Sequence, residues 1–280
     1  MDRRAFLGAL AATAASCRSR TQAQSSGSRV VSLSPGITDA LFAIGAGSLV
    51  VARSDYCDYP PEVTRLPRVG TSITPNYEAI ARLEPSLIVS EDNAATRRRE
   101  LQALAPALLL RWLSLDEVSR GIRELGRVTE KQANAAALAE RLERRLGVAA
   151  PVVAPKILLV IGSDTGRLDD IWFIRKNSLQ GAALHAAGAR NAVDEAVVGQ
   201  PHLSLERLVA LDPDGIVVLT AKTEAGDATL APYRKLTTLR AVRDGRLSLM
   251  AAPEAYVNGP RVLALIDRLV PVVVRMGQGR

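Results

Sequence analysis

Two segments of the chain repeat each other: Asn76 to Val89 (NYEAIARLEPSLIV) aligns with Ser204 to Val217 (SLERLVALDPDGIV) at a constant offset of 128 residues. Glu, Leu, Pro, Ile and Val coincide in the two copies. Each copy opens on a residue able to cap a helix and runs helically until a Pro blocks further extension. It then ends in an apolar run suited to a buried strand. A chain carrying two such units is constrained toward two lobes of one topology. Helix-Pro-strand is also common in α/β proteins at large, so the flanking sequence must carry the same alternation.

It does. Val30-Val31-Ser32-Leu33 reads as a buried strand, Ser34-Pro35-Gly36 as a tight loop and Ile37 to Ile44 as a helix. Tyr77 to Leu83 as helix, Leu87 to Val89 as strand, Arg97 to Leu104 as helix and Leu108 to Leu110 as strand continue it. Lys156 to Gly162 (KILLVIG) restarts the pattern after Pro151 and Pro155. Between the halves, Glu130 to Leu146 is rich in helix formers, with Leu138, Leu142 and Leu146 at spacing four and Gly147 as a stop. As one continuous helix it reaches about 25 Å, enough to cross from lobe to lobe, although an ordinary surface helix has the same pattern. The predicted fold is α/β, with two similar lobes containing central, mostly parallel sheets joined by one long α-helix. Residues 29–113 form the N-terminal lobe, 114–150 a connecting helical segment with the inter-lobe helix, and 155–280 the C-terminal lobe.

Residues 1–24 read as an address and tether. Arg3-Arg4-Ala5-Phe6-Leu7 is similar to a twin-arginine signature and precedes a short apolar run from Phe6 to Ala15, with small residues before Cys17. Cleavage before Cys17 would leave a lipidated Cys; cleavage near Ala23 is the alternative. With Cys17 lipidated or removed, Cys57 has no disulfide partner in the chain.

Composition excludes more than it identifies. The net charge of +7 does not indicate nucleic acid, because the basic residues are mostly scattered Arg, with only Arg97-Arg98-Arg99 adjacent, and aromatic residues are 4%. Two Cys and two His cannot build a repeated zinc framework. No G-x-S-x-G, H-E-x-x-H, C-x-x-C or G-x-x-x-x-G-K motif occurs, which weakens enzyme readings. Gly45-Ala46-Gly47 follows a helical run and reads as a helix end, not a dinucleotide loop. His185 reads as a packed or surface residue in an Ala-rich helix. His202, beside Pro201, is more open to function, but a single His is no metal site. No catalytic residue, resident cofactor or structural metal is expected.

Several local motifs carry a family likeness: Arg29-Val-Val-Ser-Leu-Ser-Pro, Ser54-Asp-Tyr-Cys-Asp-Tyr-Pro-Pro, Pro67-Arg-Val-Gly, Asn76-Tyr-Glu-Ala-Ile, Leu203-Ser-Leu-Glu-Arg-Leu and Gly259-Pro260-Arg261. With the two-lobed plan they resemble the extracytoplasmic solute-binding proteins of bacterial ABC importers, in the class III arrangement, which bind cobalamin, ferric siderophores or haem. The likeness is nearest to the cobalamin-binding members. It implies a monomer, free in the periplasm or anchored to the outer face of the membrane, that holds its cargo between the lobes and delivers it to a permease dimer.

Glu78 and Glu206, the glutamates of the repeat, match the family's acidic residues that dock on the permease, one per lobe. A twofold partner would suit a repeated carboxylate, but a helix dipole also favours Glu at this position. By the same resemblance the ligand contacts are Ser34, Pro35, Gly36, Tyr56, Ser72, Trp172, Gln200, His202 and Tyr256, the last within a stretch from Glu254 to Asn258. Tyr56 and Trp172 match aromatic positions that face the corrin in cobalamin-binding relatives. Ser72, Gln200 and roughly Glu254 stand where those relatives have Trp. The set therefore suits a polar chelate as well as a corrinoid, with Tyr256 or His202 as possible haem ligands and Arg53, Arg167 and Arg175 as partners for an anionic chelate. A tetrapyrrole chelatase on a similar scaffold is the competing enzyme reading, with His185 or His202 as proton acceptor.

Overall fold

The computed structural model describes residues 28–148, 151–161, 168, 171–197, 201–221 and 226–278. The first lobe comprises β1 (Val30–Ser32), α1 (Pro35–Ala43), β2 (Val50–Arg53), α2 (Tyr77–Arg82), β3 (Leu87–Glu91), α3 (Arg98–Gln102) and β4 (Ala107–Leu110). Two helices follow, α4 (Leu115–Val128) and α5 (Gln132–Leu146). The second lobe opens with β5 (Lys156–Ile161), β6 (Ile171–Trp172), α6 (Leu179–Ala186), β7 (Arg190–Asn191), β8 (His202–Leu203), α7 (Leu205–Leu211) and β9 (Gly215–Thr220). It closes with α8 (Ala231–Arg234), α9 (Arg240–Arg243), β10 (Leu247–Ala251) and α10 (Val262–Gly277).

Each lobe has a four-stranded parallel sheet, in the orders β2-β1-β3-β4 and β10-β9-β5-β7. Reading the second order backwards, β7-β5-β9-β10, gives the first sheet's topology strand for strand. Parallel strands are covered on both faces, which is why β9 (GIVVLT) is buried at every position and β5 (KILLVI) at its four central ones. The repeat survives at the level of caps and turns. Asn76 Oδ1 accepts from Ala79 N at 3.0 Å and Ser204 Oγ from Arg207 N at 3.3 Å, so α2 and α7 start alike. They also stop alike: Glu84 (φ 44°) and Asp212 (φ 35°), 128 residues apart, both enter the left-handed region immediately before a Pro.

The expected helix from Glu130 to Leu146 is present as α5, which starts two residues later and is preceded by a second helix, α4. Glu130 has φ 57°, which no α-helix allows, and so forms the turn of a helical hairpin. Ahead of it, α4 starts at a reciprocal capping box between Ser114 and Glu117. Helix α5 then meets both lobes. Near its start Asn134 Nδ2 donates to Ile44 O at 2.9 Å, and near its end Arg145 pairs with Asp267 at 2.6 Å. Ala135, Ala139, Leu142 and Leu146 face a core that runs without interruption from one lobe to the other, through α1, α4, α5, α6 and α10. Each sheet buries its other face in a separate cluster. The lobes are thus fused along their helical side, and the cleft is left to the loops at the carboxyl ends of the strands.

Candidate functional site

On the first-lobe wall, β1 leads into Ser34, whose hydroxyl donates to Glu91 Oε1 at 2.5 Å, at the end of β3. The loop after β2 is pinned from within. Arg53, 3% exposed, donates to the carbonyl oxygens of Ser54 (3.2 Å), Cys57 (2.7 Å) and Thr64 (3.4 Å), and its Nε is buried without a partner. Cys57 lies beneath the same loop with Sγ 3.0 Å from Thr38 Oγ1, and burial pushes its thiol pKa up. Arg53 therefore holds a loop together and is no partner for an anionic cargo. Tyr56 stands out of this loop, 72% exposed. Asp55 N donates to Gly70 O at 2.8 Å, which sets the turn carrying Ser72 alongside.

On the opposite wall, β6 and β8 form an antiparallel ribbon in which Trp172 is paired with His202, their ring centroids 6.1 Å apart. The ribbon places both side chains named from the sequence on one patch. Tyr256 follows β10, and its hydroxyl donates to Leu219 O at 2.9 Å, so the phenol is committed to the backbone of β9. That bond argues against Tyr256 as an iron ligand. Burial depresses the pKa of His185, on α6. Among the described residues no three His, Cys, Asp or Glu come together as a metal site. Gln200, Arg167 and Cys17 lie outside the described residues.

The floor of the cleft is an inter-lobe contact in which two of the expected ligand positions, Gly36 and Ser34, are buried. Gly36, in the first turn of α1, is buried, and a Cβ there would collide with Asn258 O and come within 2.7 Å of Trp112 Nε1. Ser34 is likewise buried, at 1% exposure. Both residues support the floor and leave Pro35 partly exposed between them. Trp112, fully buried, donates from Nε1 to Asn258 O at 2.6 Å, and Gln180 Nε2 donates to Ala255 O (3.1 Å) and Asn258 Oδ1 (3.0 Å). Below them Asp39 of α1 meets Arg261, which precedes α10, at 2.5 Å, and the Arg261 guanidinium lies 4.7 Å from the centre of the Tyr59 ring. Gly36→Ala should therefore cost about 1 to 3 kcal/mol as the two backbones are forced apart. Urea denaturation measures it, and a change within experimental error would mean that the floor yields freely.

Trp112, Gln180 and Asp39 were not evident as site residues from the sequence. Asp39 left one trace, a carboxylate inside the apolar helix Ile37 to Ile44. Glu78 and Glu206 lie away from the floor, exposed in the first turns of α2 and α7. Glu78 pairs with Arg82 at 2.5 Å, with both side chains about three-quarters exposed. Hydrogen bonds from the Ser204 hydroxyl and from its own backbone amide hold the Glu206 carboxyl below the usual range.

Residues 30–253 match the periplasmic binding protein family. A vitamin B12-binding protein of Pectobacterium atrosepticum is 27% identical over 205 residues, covering 68% of this chain and 71% of the relative. A cobalamin-binding protein of Halobacterium salinarum is 26% identical over 265 residues, covering 89% and 68%. Among solved structures, a periplasmic heme-binding protein from Pseudomonas aeruginosa has a TM-score of 0.70 at 25% identity, over 88% of this chain and 92% of that one. A periplasmic vitamin B12-binding protein of Vibrio cholerae has a TM-score of 0.67 at 23% identity, over 89% and 98%, a likeness of fold alone.

Proposed function

The chain belongs to the periplasmic binding protein family, and from that premise we propose that it is the extracytoplasmic solute-binding component of an ABC importer, taking a corrinoid in the inter-lobe cleft. In this reading residues 1–24 export the chain, Cys17 is the site of lipid attachment, and Glu78 and Glu206 dock one lobe each on the permease dimer. The observation that carries the reading is the pair of lobes with one topology, fused on one side, with the exposed Tyr56 on one lobe and the half-buried Trp172 on the other. Tyr56 on one wall and Trp172 on the other offer rings to a large flat cargo. Vitamin B12-binding and cobalamin-binding relatives favour a corrinoid over the same role for haem or a ferric siderophore.

Thermal melting in the presence of cobalamin, cobinamide, haemin and ferric siderophores tests the cargo. A ligand at a hundredfold its dissociation constant adds about 2.7 kcal/mol, which for a chain of this size is roughly 5 to 10 °C. A shift with corrinoids alone is the expected result. A shift with haemin or a siderophore alone would keep the transport role and replace the cargo, and silence across the panel would count against both.

A further inference from the structure

Ahead of α10 the chain passes under the cleft, where residues 258–261 lie against the first lobe. Backbone packs on backbone there. A Cβ at Gly36 would strike Asn258 O, and one at Gly259 would come within 3.1 Å of Gly36 O. Gln180 Nε2, donating to Asn258 Oδ1, ties the segment to α6 of its own lobe, and Trp112 Nε1, donating to Asn258 O, ties it to the other. Arg261 therefore projects from a stretch of backbone held by both lobes. Its side chain is only 15% exposed.

What Arg261 reaches is the loop after β2. Its Nε donates to Asp39 Oδ2 at 2.5 Å, while the guanidinium lies over the Tyr59 ring and Nη2 stands 3.9 Å from Asp58 Oδ1. A planar guanidinium can offer its edge to a carboxylate and its face to a ring at the same time, which an ammonium cannot. Tyr56 belongs to this loop, three residues before Tyr59. The hold on the loop from within is incomplete. Arg53 bonds the carbonyl oxygens of Ser54 and Cys57, but its bond to Thr64 O is long, at 3.4 Å, and its Nε is buried without a partner. Asp58 and Tyr59 lie beyond Cys57. Among the described residues neither has an ion pair or ring contact other than that with Arg261.

We infer that Arg261 of the second lobe is a positioning residue for the aromatic wall of the first: it holds the loop 54–59 from across the cleft floor, so that the place of Tyr56 depends on the contact between the lobes. The consequence for cargo rests on the cleft-binding reading above. A separation of the lobes that draws Arg261 away would release the loop bearing Tyr56 in the same movement, which makes the two walls one unit.

A nitroxide on Tyr56→Cys, in a full chain that also carries Cys17→Ser, reads the loop without any cargo; Cys57 is buried and out of reach of the label. An ordered label is expected in this chain. Tyr59→Leu keeps the Asp39–Arg261 pair and removes only the ring, and should raise the ratio of mobile to ordered label about two- to fivefold. Asp39→Asn combined with Arg261→Met removes the cation without leaving a buried charge, and should raise it at least as far. Arg261→Lys should do so less than either. Because the chain stays folded under these conditions, a residue that merely adds stability would leave the spectrum as it was, and an unchanged spectrum in both Tyr59→Leu and the Asp39–Arg261 double variant would overturn the inference. The second arm uses the native Tyr56 and measures release of cobalamin, or of haemin where haemin is the probe that raises the melting temperature. Release should quicken by about the same factors as the label loosens, and an unaltered release rate in the two loosened variants would overturn the role of Arg261 in cargo binding. Binding of neither probe by the unsubstituted chain would instead overturn the cargo reading, and the label spectra would still decide what holds the loop.

Discussion

Glu78→Arg combined with Glu206→Arg is expected to abolish delivery of cargo by the reconstituted importer while the isolated protein binds its cargo as before. Both carboxylates project from first helical turns that are capped and terminated in the same way in the two lobes, so they offer a twofold partner one charge each. Reversing one charge leaves the other lobe to dock, whereas reversing both places like charges on both halves of the interface, at a cost of several kcal/mol. The two sites are not equivalent. In the proposed docking Glu78 leaves Arg82, but an exposed pair of this spacing is worth only about 0.3 to 0.5 kcal/mol. Glu206 has no such competitor among the described ion pairs, since Arg207 turns to Glu195 at 3.0 Å. The single Glu206→Arg change should therefore impair delivery at least as much as Glu78→Arg. Unchanged transport by the double variant would remove these residues from the permease interface.

The same repeat explains how much of the molecule could be read in advance. Glu78 and Glu206, the Pro that follows each helix and the buried strands β3 and β9 are local signals, so they survive without tertiary information. The ribbon of β6 and β8 left no such trace, because strands of two residues are too short for a period to register. The hairpin between α4 and α5 was hidden for another reason. Glu130 is a good helix former, and its left-handed backbone is imposed by the packing of two helices, against propensity. The floor of the cleft was the least legible part. Gly36 against Asn258 and Asp39 against Arg261 are contacts across more than 200 residues, and each residue alone looks like an ordinary loop or helix position.

The last of these contacts should dominate the stability of the fused side of the molecule. Arg261→Met keeps an apolar stem against Tyr59 but leaves the Asp39 carboxylate buried without its cation, and should cost about 3 to 5 kcal/mol at pH 7.5. The loss should shrink at acid pH, and the sign follows from Asp39 itself. Burial lifts its pKa to about 6, against the opposing pull of Arg261, with the nearby charge of Asp58 adding slightly to the rise. The folded chain therefore binds a proton more tightly than the unfolded one. That contribution to stability is fully present below about pH 4 and is lost as the pH rises through about 6, a swing of about 3 kcal/mol. Without Arg261 the folded pKa rises further, so at pH 5 the carboxyl of the variant is neutral and little is left to neutralise. Asp39→Asn combined with Arg261→Met should recover most of the stability at pH 7.5, because no charge then remains in the floor. Urea denaturation at pH 5 and 7.5 separates the alternatives. A loss of equal size at both pH values, or a double variant no more stable than Arg261→Met alone, would mean that Arg261 acts through packing against Tyr59 and not through the charge of Asp39.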